Sequence, residues 1–342
     1  MTPYVTVIVP CRNEGRFIDR CLRSITASAY PHDRLEILVV DGMSKDGTRA
    51  QIAANVERDP RIVLVENEAR TAPAAMNLGI ARARGEIVMR MDAHCEYPAD
   101  YIPQLVRALD EHQADNVGGI TEVLPAGSGP VARAIAIALS SRAGVGDSHF
   151  RVGTEAPRWV DTVPFGCWRR ETFTKVGLFD ESLPRNQDDE FNMRLRRAGG
   201  RVLLLPSVVT RYFARERLDQ LWQMFSQYGY YKPLAAIRSG APLQPRQFAP
   251  STLVVALVAG ALLAPFSWWG VGFLAAVAGA YAAFALGAAA VVARSSGFKV
   301  AAAFAAALVT MHVAYGVGFL RGTLRFAILR RAPAPAAPEL SR

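Results

Sequence analysis

Three consecutive carboxylates, Asp188-Asp189-Glu190, follow Asn186-Gln187 and open a segment whose Phe191, Leu195 and Ala198 share one side. That spacing predicts the first turn of an amphipathic helix. A helix N-terminus tolerates anions, because its free amides and dipole stabilise them. Three in a row exceed what capping requires. Their mutual repulsion raises the pKa of at least one, which suits a general base. Taken alone, the same residues also fit an acid-rich, well-capped surface helix. Other residues able to do chemistry stand in short clusters upstream: Arg12-Asn13-Glu14, Asp41 through Thr48, and Asp92-Ala93-His94.

These clusters need elements to hold them, and the N-terminal 120 residues supply an alternation of strand and helix. Strands are expected at Tyr4–Val9, Leu35–Val40, Arg61–Glu66 and Glu86–Met91, and helices at Arg16–Ala27, Thr48–Val56 and Ala72–Ala83. Leu35–Val40 is almost continuously apolar, as in a parallel strand covered on both faces. Such alternation gives an α/β sheet that binds ligands at the carboxyl ends of its strands. Each cluster above follows an expected strand, which is the topography of a nucleotide-binding crevice. There is no GxGxxG or Walker A sequence, so neither dinucleotide nor P-loop chemistry is indicated.

Composition divides the 342-residue chain. Hydrophobic residues make up 51%, but Gln247 to Ala293 contains no charged residue at all, and neither does Val300 to Leu320. A bilayer span needs about 20 apolar residues, so a membrane region is expected over 247–330, with two to three helices at about 250–266, 269–293 and 299–320. The net charge is +9. Its cations flank the apolar runs (Arg238, Arg246, Arg294, Lys299, Arg321, Arg325, Arg330, Arg331), which suits anionic lipid headgroups. No basic stripe with interleaved aromatics indicates nucleic acid. Residues 1–10 lack the pattern of a signal peptide, so residues 1–240 are expected in the cytoplasm. Three spans would then put the arginine-rich tail outside, against the positive-inside rule. The last segment is therefore the doubtful one: re-entrant, or lying in the interface, with Gly316, Gly318 and His312 permitting a break. The four cysteines have no metal-type spacing and read as reduced thiols. Residues 331–342 read as a flexible tail.

Taken in order, PCRNE at 10–14, VVDGMSKDGT at 39–48, Asn67–Gly79, Gly85-Glu86, Asp92-Ala93-His94 and QDDEFNMRLRRAGG at 187–200 resemble glycosyltransferase family 2. Within it the chain is most similar to bacterial exopolysaccharide glycosyltransferases of the succinoglycan type. The resemblance covers residues 4 to about 232. It implies a GT-A fold, Rossmann-like with a mostly parallel sheet, and C-terminal membrane helices. Residues 1–120 would bind the nucleotide and 121–240 would form the acceptor side. Asp41 would bind the base or ribose of a nucleotide sugar, UDP-linked by this resemblance; Pro10 and Glu14 would shape the base pocket, and Arg70 would lie by the base or diphosphate.

Asp92 and His94 would face the diphosphate and a divalent metal, Mn²⁺ or Mg²⁺. With an imidazole at the second position, either the preference shifts towards Mn²⁺ or His94 contacts the metal weakly or through water. Asp188 would be the catalytic base of one inverting displacement. Gln187, Asp189, Glu190 and Arg194 would form the acceptor motif, with Gln187 in place of the family's glutamate, Glu190 contacting the acceptor or supporting the loop, and Asp189 the acid that reads most readily as structural. Trp168 would stack on a sugar or belong to the core, and Gly166 would let the backbone approach the donor. Leu218, Leu221, Trp222 and Phe225, followed by Tyr228 to Lys232, read as a helix at the headgroup level, as does Val131–Leu139, unless both pack on the domain. The implied enzyme is non-processive and sits in the bacterial inner membrane as a multi-pass protein. It would transfer a sugar to a lipid-linked, polyprenyl diphosphate saccharide in exopolysaccharide synthesis. A processive synthase is the first alternative, though Gln223 to Tyr228 lacks the Gln-x-x-Arg-Trp motif; a silent nucleotide-sugar-binding scaffold is the second.

Overall fold

The structure is a computed structural model and describes residues 2–333. Its first half alternates as the periodicity requires: β1 (Val5–Cys11), α1 (Ile18–Thr26), β2 (Leu35–Asp41), α2 (Thr48–Arg58), β3 (Ile62–Glu66), α3 (Ala72–Arg82), β4 (Ile87–Arg90), β5 (Cys95–Glu96) and α4 (Tyr101–Glu111). Next come β6 (Asn116–Leu124), α5 (Pro130–Ser140), α6 (Arg142–Val145), α7 (His149–Val152), β7 (Arg158–Val160), β8 (Cys167–Arg169), α8 (Glu171–Val176), α9 (Gln187–Arg197), β9 (Val202–Phe213) and α10 (Leu218–Ser239). The C-terminal part holds α11 (Ala249–Leu263), α12 (Trp268–Ser296) and α13 (Phe298–Gly322), which runs on through a π-helical turn to Ile328.

The strands form one sheet in the order β3-β2-β1-β4-β8-β6-β9-β5, with β7 also paired to β9. Its long ladders are parallel: β1 with β2 and β4, β2 with β3, and β6 with β9. The antiparallel pairings, β8 with β4 and β6 and β9 with β5 and β7, are only two or three residues long. Alternate residues feed opposite layers. Val5, Val7 and Val9 pack with Ile18, Leu22 and Ile25 of α1 and with α4. Ile8, Leu38 and Val40 pack with Met76 of α3 and Phe191 and Leu195 of α9. All seven residues of β2 are buried, as a doubly covered parallel strand must be.

A third apolar cluster joins the sheet domain to the C-terminal helices, through Ile135 and Leu139 of α5, Leu221 and Met224 of α10, and Phe304, Leu308 and Met311 of α13. Both helices expected at headgroup level therefore pack inward. On α10 the buried face centres on Leu221 and Met224, while Trp222 points away from it. α13 does not break at Gly316 or Gly318. These glycines let helices touch: a Cβ at Gly318 would lie 2.2 Å from the Ser226 carbonyl oxygen, and one at Gly316 would lie 2.4 Å from that of Pro250. Small residues at such crossings allow backbone-to-backbone packing. α12 and α13 are long and apolar enough to cross a membrane, whereas α11 has only 15 residues. The first segment is therefore the shortest of the three. Of the expected tail, residues 334–342 lie outside the described residues.

Candidate active site

The parallel register puts the carboxyl ends of β1, β2 and β3 side by side. Pro10 pairs with Val40 and Cys11 with Asp41, and the Asn67 amide donates to the Asp41 carbonyl at 2.9 Å. The Asp41 carboxylate is fully buried. It accepts the Ser44 hydroxyl at 2.5 Å and the Ser44 amide at 3.1 Å, with Arg49 3.7 Å away. In this state Asp41 caps its own loop. Arg70, exposed and at φ +60°, stands beside Gly42, whose added Cβ would meet the Arg70 Cα at 3.4 Å. Pro10, Glu14, Asp41 and Arg70 thus gather at one edge.

Glu14 connects this edge to the end of β4. Its Oε1 lies 3.2 Å from His94 Nδ1, and the His94 ring meets Tyr212 edge-on at 5.1 Å. Asp92 is gripped by the Arg90 guanidinium through two bonds of 2.7 and 3.0 Å. Burial works against the Arg90 cation, but Asp92 outweighs it and pushes the pKa up. Among the described residues no group of three or more His, Cys, Asp or Glu side chains could hold a metal ion. Asp92 and His94 nevertheless line one cavity. Two protein donors, one carboxylate and one imidazole, fit a cation that takes its remaining ligands from phosphate oxygens, and fit Mn²⁺ better than Mg²⁺. The four cysteines are buried and free.

That cavity, of about 650 Å³, runs from Arg90, Asp92 and His94 past Gln187, Asp188 and Asp189 to Leu253, Phe284 and Met311 of the C-terminal helices. α9 separates its three acids. Asp188 faces the cavity, and its pKa is raised by burial and by the neighbouring Asp189 carboxylate, against the pull of Arg90. Asp189 also faces the cavity but is tied to the buried Lys232 of α10. Burial disfavours the Lys232 charge, and Asp189 more than compensates, so its pKa rises. Glu190 is 2% exposed and forms a two-bond pair with Arg194 at 2.8 and 2.9 Å. Arg194 also donates to the carbonyls of Val176 (2.5 Å) and Leu178 (2.8 Å). Glu190 and Arg194 therefore brace a loop and do not line the acceptor cavity.

Trp168 takes the second of its two expected places, and the role expected of Gly166 changes. Trp168 is 1% exposed and sits among Phe173, Phe179 and Phe191, with ring centroids 5.7 to 6.0 Å away, so it is a core residue with no sugar-stacking face. Gly166 has φ +108°, and a Cβ there would lie 2.2 Å from the Trp168 ring; the ring, not a donor sugar, demands glycine. The sequence reading missed Arg90, Arg151, Arg185 and Tyr212, and took Lys232 for a headgroup cation. A charged residue in the otherwise apolar run Ile87–Met91 was the available signal for Arg90; the others come together only through the fold.

Comparison with known proteins gives the family and the fold. Residues 6–173 match Glycosyl transferase family 2. The chain is 31% identical over 323 residues to the succinoglycan biosynthesis protein ExoA of Rhizobium meliloti (strain 1021), covering 94% of this chain and 95% of that protein. It is 28% identical over 245 residues, 69% of its length and 75% of the relative's, to the dolichyl N-acetyl-alpha-D-glucosaminyl phosphate 3-beta-D-2,3-diacetamido-2,3-dideoxy-beta-D-glucuronosyltransferase of Methanococcus voltae. Among solved structures it is similar to the mannosyltransferase PcManGT from Pyrobaculum calidifontis in complex with GDP-Man and Mn²⁺. The TM-score is 0.58 at 24% identity, over 92% of this chain and 87% of that one, which shows a shared GT-A fold.

Proposed function

Starting from the fact that the chain belongs to glycosyl transferase family 2, we propose that it is a membrane-anchored, inverting, non-processive hexosyltransferase, moving a sugar from a nucleotide sugar, UDP-linked, to a lipid-linked saccharide in exopolysaccharide synthesis. One observation carries this reading: a single cavity joins Asp188, Asp92 and His94 to the apolar side chains of α11, α12 and α13. An acceptor with a sugar at one end and a prenyl chain at the other matches both ends of it. The Methanococcus voltae relative, whose name places it on a dolichyl-linked sugar phosphate, supports the same class.

The chemistry follows from the placement of the acids. Asp188, with its pKa raised, takes the proton of an acceptor hydroxyl. The hydroxyl oxygen then attacks the anomeric carbon as the bond to the diphosphate oxygen breaks, inverting the centre in one displacement. Asp189 cannot substitute while Lys232 holds it. Pro10, Glu14, Asp41 and Arg70 bind the nucleoside, with Ser44 giving way if Asp41 is to reach the base. Asp92 and His94 would hold a divalent cation, which supplies neutralisation of the leaving diphosphate. Gln187, buried at the cavity wall, orients the acceptor.

Attachment follows from exposure. Phe266, Trp268 and Trp269, at the turn between α11 and α12, are almost fully exposed, and α12 is about 43 Å long at about 1.5 Å per residue. We place the α11–α12 hairpin in the inner membrane. α13 packs against α5 and α10 as well as against α11 at Pro250 and α12 at Tyr281, and we place it on the cytoplasmic side of the hairpin. All the flanking arginines then remain cytoplasmic, which removes the conflict with the positive-inside rule.

The test is transfer by the full chain from a panel of labelled nucleotide sugars to extracted membrane lipids. Label should enter the organic phase, and Asp188→Asn should lower turnover by roughly 10²–10⁴-fold with UDP binding retained. No lipid-extractable product from any donor, or unchanged turnover of the variant, overturns the reading.

A further inference from the structure

Six cationic side chains and four aspartates line the cavity, and Asp147 beside it holds Arg246 at 2.6 Å, which leaves an excess of positive charge. Three of the cations are tied to acids: Arg90 to Asp92, Lys232 to Asp189, and Arg246 to Asp161 at 2.5 Å. A nucleotide sugar does not balance the excess. Its diphosphate diester carries about two negative charges, and the divalent cation it brings cancels them. The cavity is therefore charged for a second anion.

The geometry shows where that anion fits. Arg151, on α7, holds its guanidinium over the rings of Phe150 (5.3 Å) and Tyr212 (5.7 Å). Its Nη1 is buried without a hydrogen-bond partner among the described residues, and so is Nη1 of Arg90, whose side chain is 9% exposed. Arg185 enters from the loop before α9, donates to Gln227 of α10 at 3.0 Å and lies 6.0 Å from the Tyr228 ring centre. Burial, and the neighbouring charges of Arg215 and Arg90, push its pKa down, so a bound anion would stabilise its charged form. Stacked guanidinium forks are suited to phosphate. Beyond them the wall turns apolar, with Phe284 of α12 and Met311 of α13.

We infer that Arg151 and Arg185, with the inward Nη1 of Arg90, form a phosphate subsite for the acceptor, distinct from the donor diphosphate, and that the acceptor's prenyl chain leaves along Phe284 and Met311. The assignment rests on the lipid-acceptor reading above. It names the class of headgroup, a prenyl phosphate or diphosphate, and the side chains that hold it.

Titration calorimetry on the full chain in detergent tests it, with farnesyl diphosphate, inorganic pyrophosphate, and UDP with Mn²⁺ as separate ligands. The wild type should bind farnesyl diphosphate at least about tenfold more tightly than pyrophosphate, because the chain is buried as well. Arg151→Gln and Arg185→Gln should each weaken farnesyl diphosphate at least about tenfold while leaving UDP within about twofold, which also shows that the variants are folded. Arg151→Lys, which keeps the charge but loses the fork, should fall between. Equal weakening of UDP and farnesyl diphosphate would assign the arginines to the donor and overturn the inference. Equal affinity for pyrophosphate and farnesyl diphosphate would reduce the subsite to a free-phosphate site and overturn it too. If the variants match the wild type on farnesyl diphosphate, the site assignment alone falls; if the wild type binds no farnesyl diphosphate, the lipid-acceptor reading falls with it.

Discussion

Replacing Lys232 by Met tests how the fold separates the acids of α9. Lys232 is 8% exposed at its side chain and its partner Asp189 22%, so neither has much access to water. Removing one member of a buried pair leaves the other charge uncompensated, at a cost of about 3–5 kcal/mol. For a chain of this size that corresponds to a fall in Tm of roughly 5–10 °C. The pH profile should move as well. Asp188 acts as a base only when deprotonated, so kcat/KM rises as pH passes upward through its pKa. Burial and Asp189 already hold that pKa above the ordinary carboxylate value, while Lys232 opposes them. Without Lys232, only Arg90 and the Asp189 amide still offset the repulsion of Asp188 by Asp189, and the acid limb shifts to higher pH. Adding Asp189→Asn removes the orphaned carboxylate and the repulsion, so most of the stability returns and the limb moves back. Thermal unfolding by intrinsic fluorescence and initial rates across pH give both readouts for the single and double variants. An unchanged Tm, or a limb that stays put or moves to lower pH in Lys232→Met, would refute this account of the site.

Asp92→Ala should weaken Mn²⁺-dependent UDP binding by roughly tenfold or more, read by calorimetry, with little change when the metal is omitted. Arg194→Ala should cost about 3–5 kcal/mol by leaving Glu190 buried and unpaired, seen as a lower Tm with acceptor KM unchanged; a raised KM at full Tm would return Glu190 and Arg194 to the acceptor site. Trp168→Phe should lower stability by about 1–3 kcal/mol through the void it leaves, without altering acceptor KM, since the indole touches only core rings.

The parallel half of the fold was legible because its strands are apolar and regular and each ends in polar residues. The seven expected elements from Tyr4 to Met91 lie within about three residues of the observed ones, the usual uncertainty of element ends. What local sequence could not carry was direction. Trp168 and Glu190 have residue types that suit a sugar site, but each points into packing, set by Phe179 and Phe191 for the first and Arg194 for the second. Lys232 follows four residues of Tyr and Gly, a pattern typical of headgroups, yet its ammonium turns inward because Asp189 of another helix meets it there. Gly316 and Gly318 were misread for a similar reason. From sequence a glycine can mark a break or a close contact, and only the facing backbone decides between them.

Helix α10 makes the acids of α9 depend on the C-terminal helices. On its inner side it presents Lys232 to Asp189, and Tyr228 accepts the Asn186 side chain at 2.8 Å through its carbonyl, next to the left-handed turn that starts α9. On its other side it lies so close to α13 that a Cβ at Gly229 would fall 2.1 Å from the Tyr315 carbonyl oxygen, and one at Gly322 equally near that of Tyr230. Backbones packed at that distance cannot slide past each other without opening a void or a clash. The position of α13 therefore fixes α10, and α10 fixes both the neutralisation of Asp189 and the entry into α9. The apolar helices do more than anchor the catalytic domain: they are the outer support of the wall that leaves Asp188 as the one cavity-facing acid of α9 without a cationic partner of its own among the described residues.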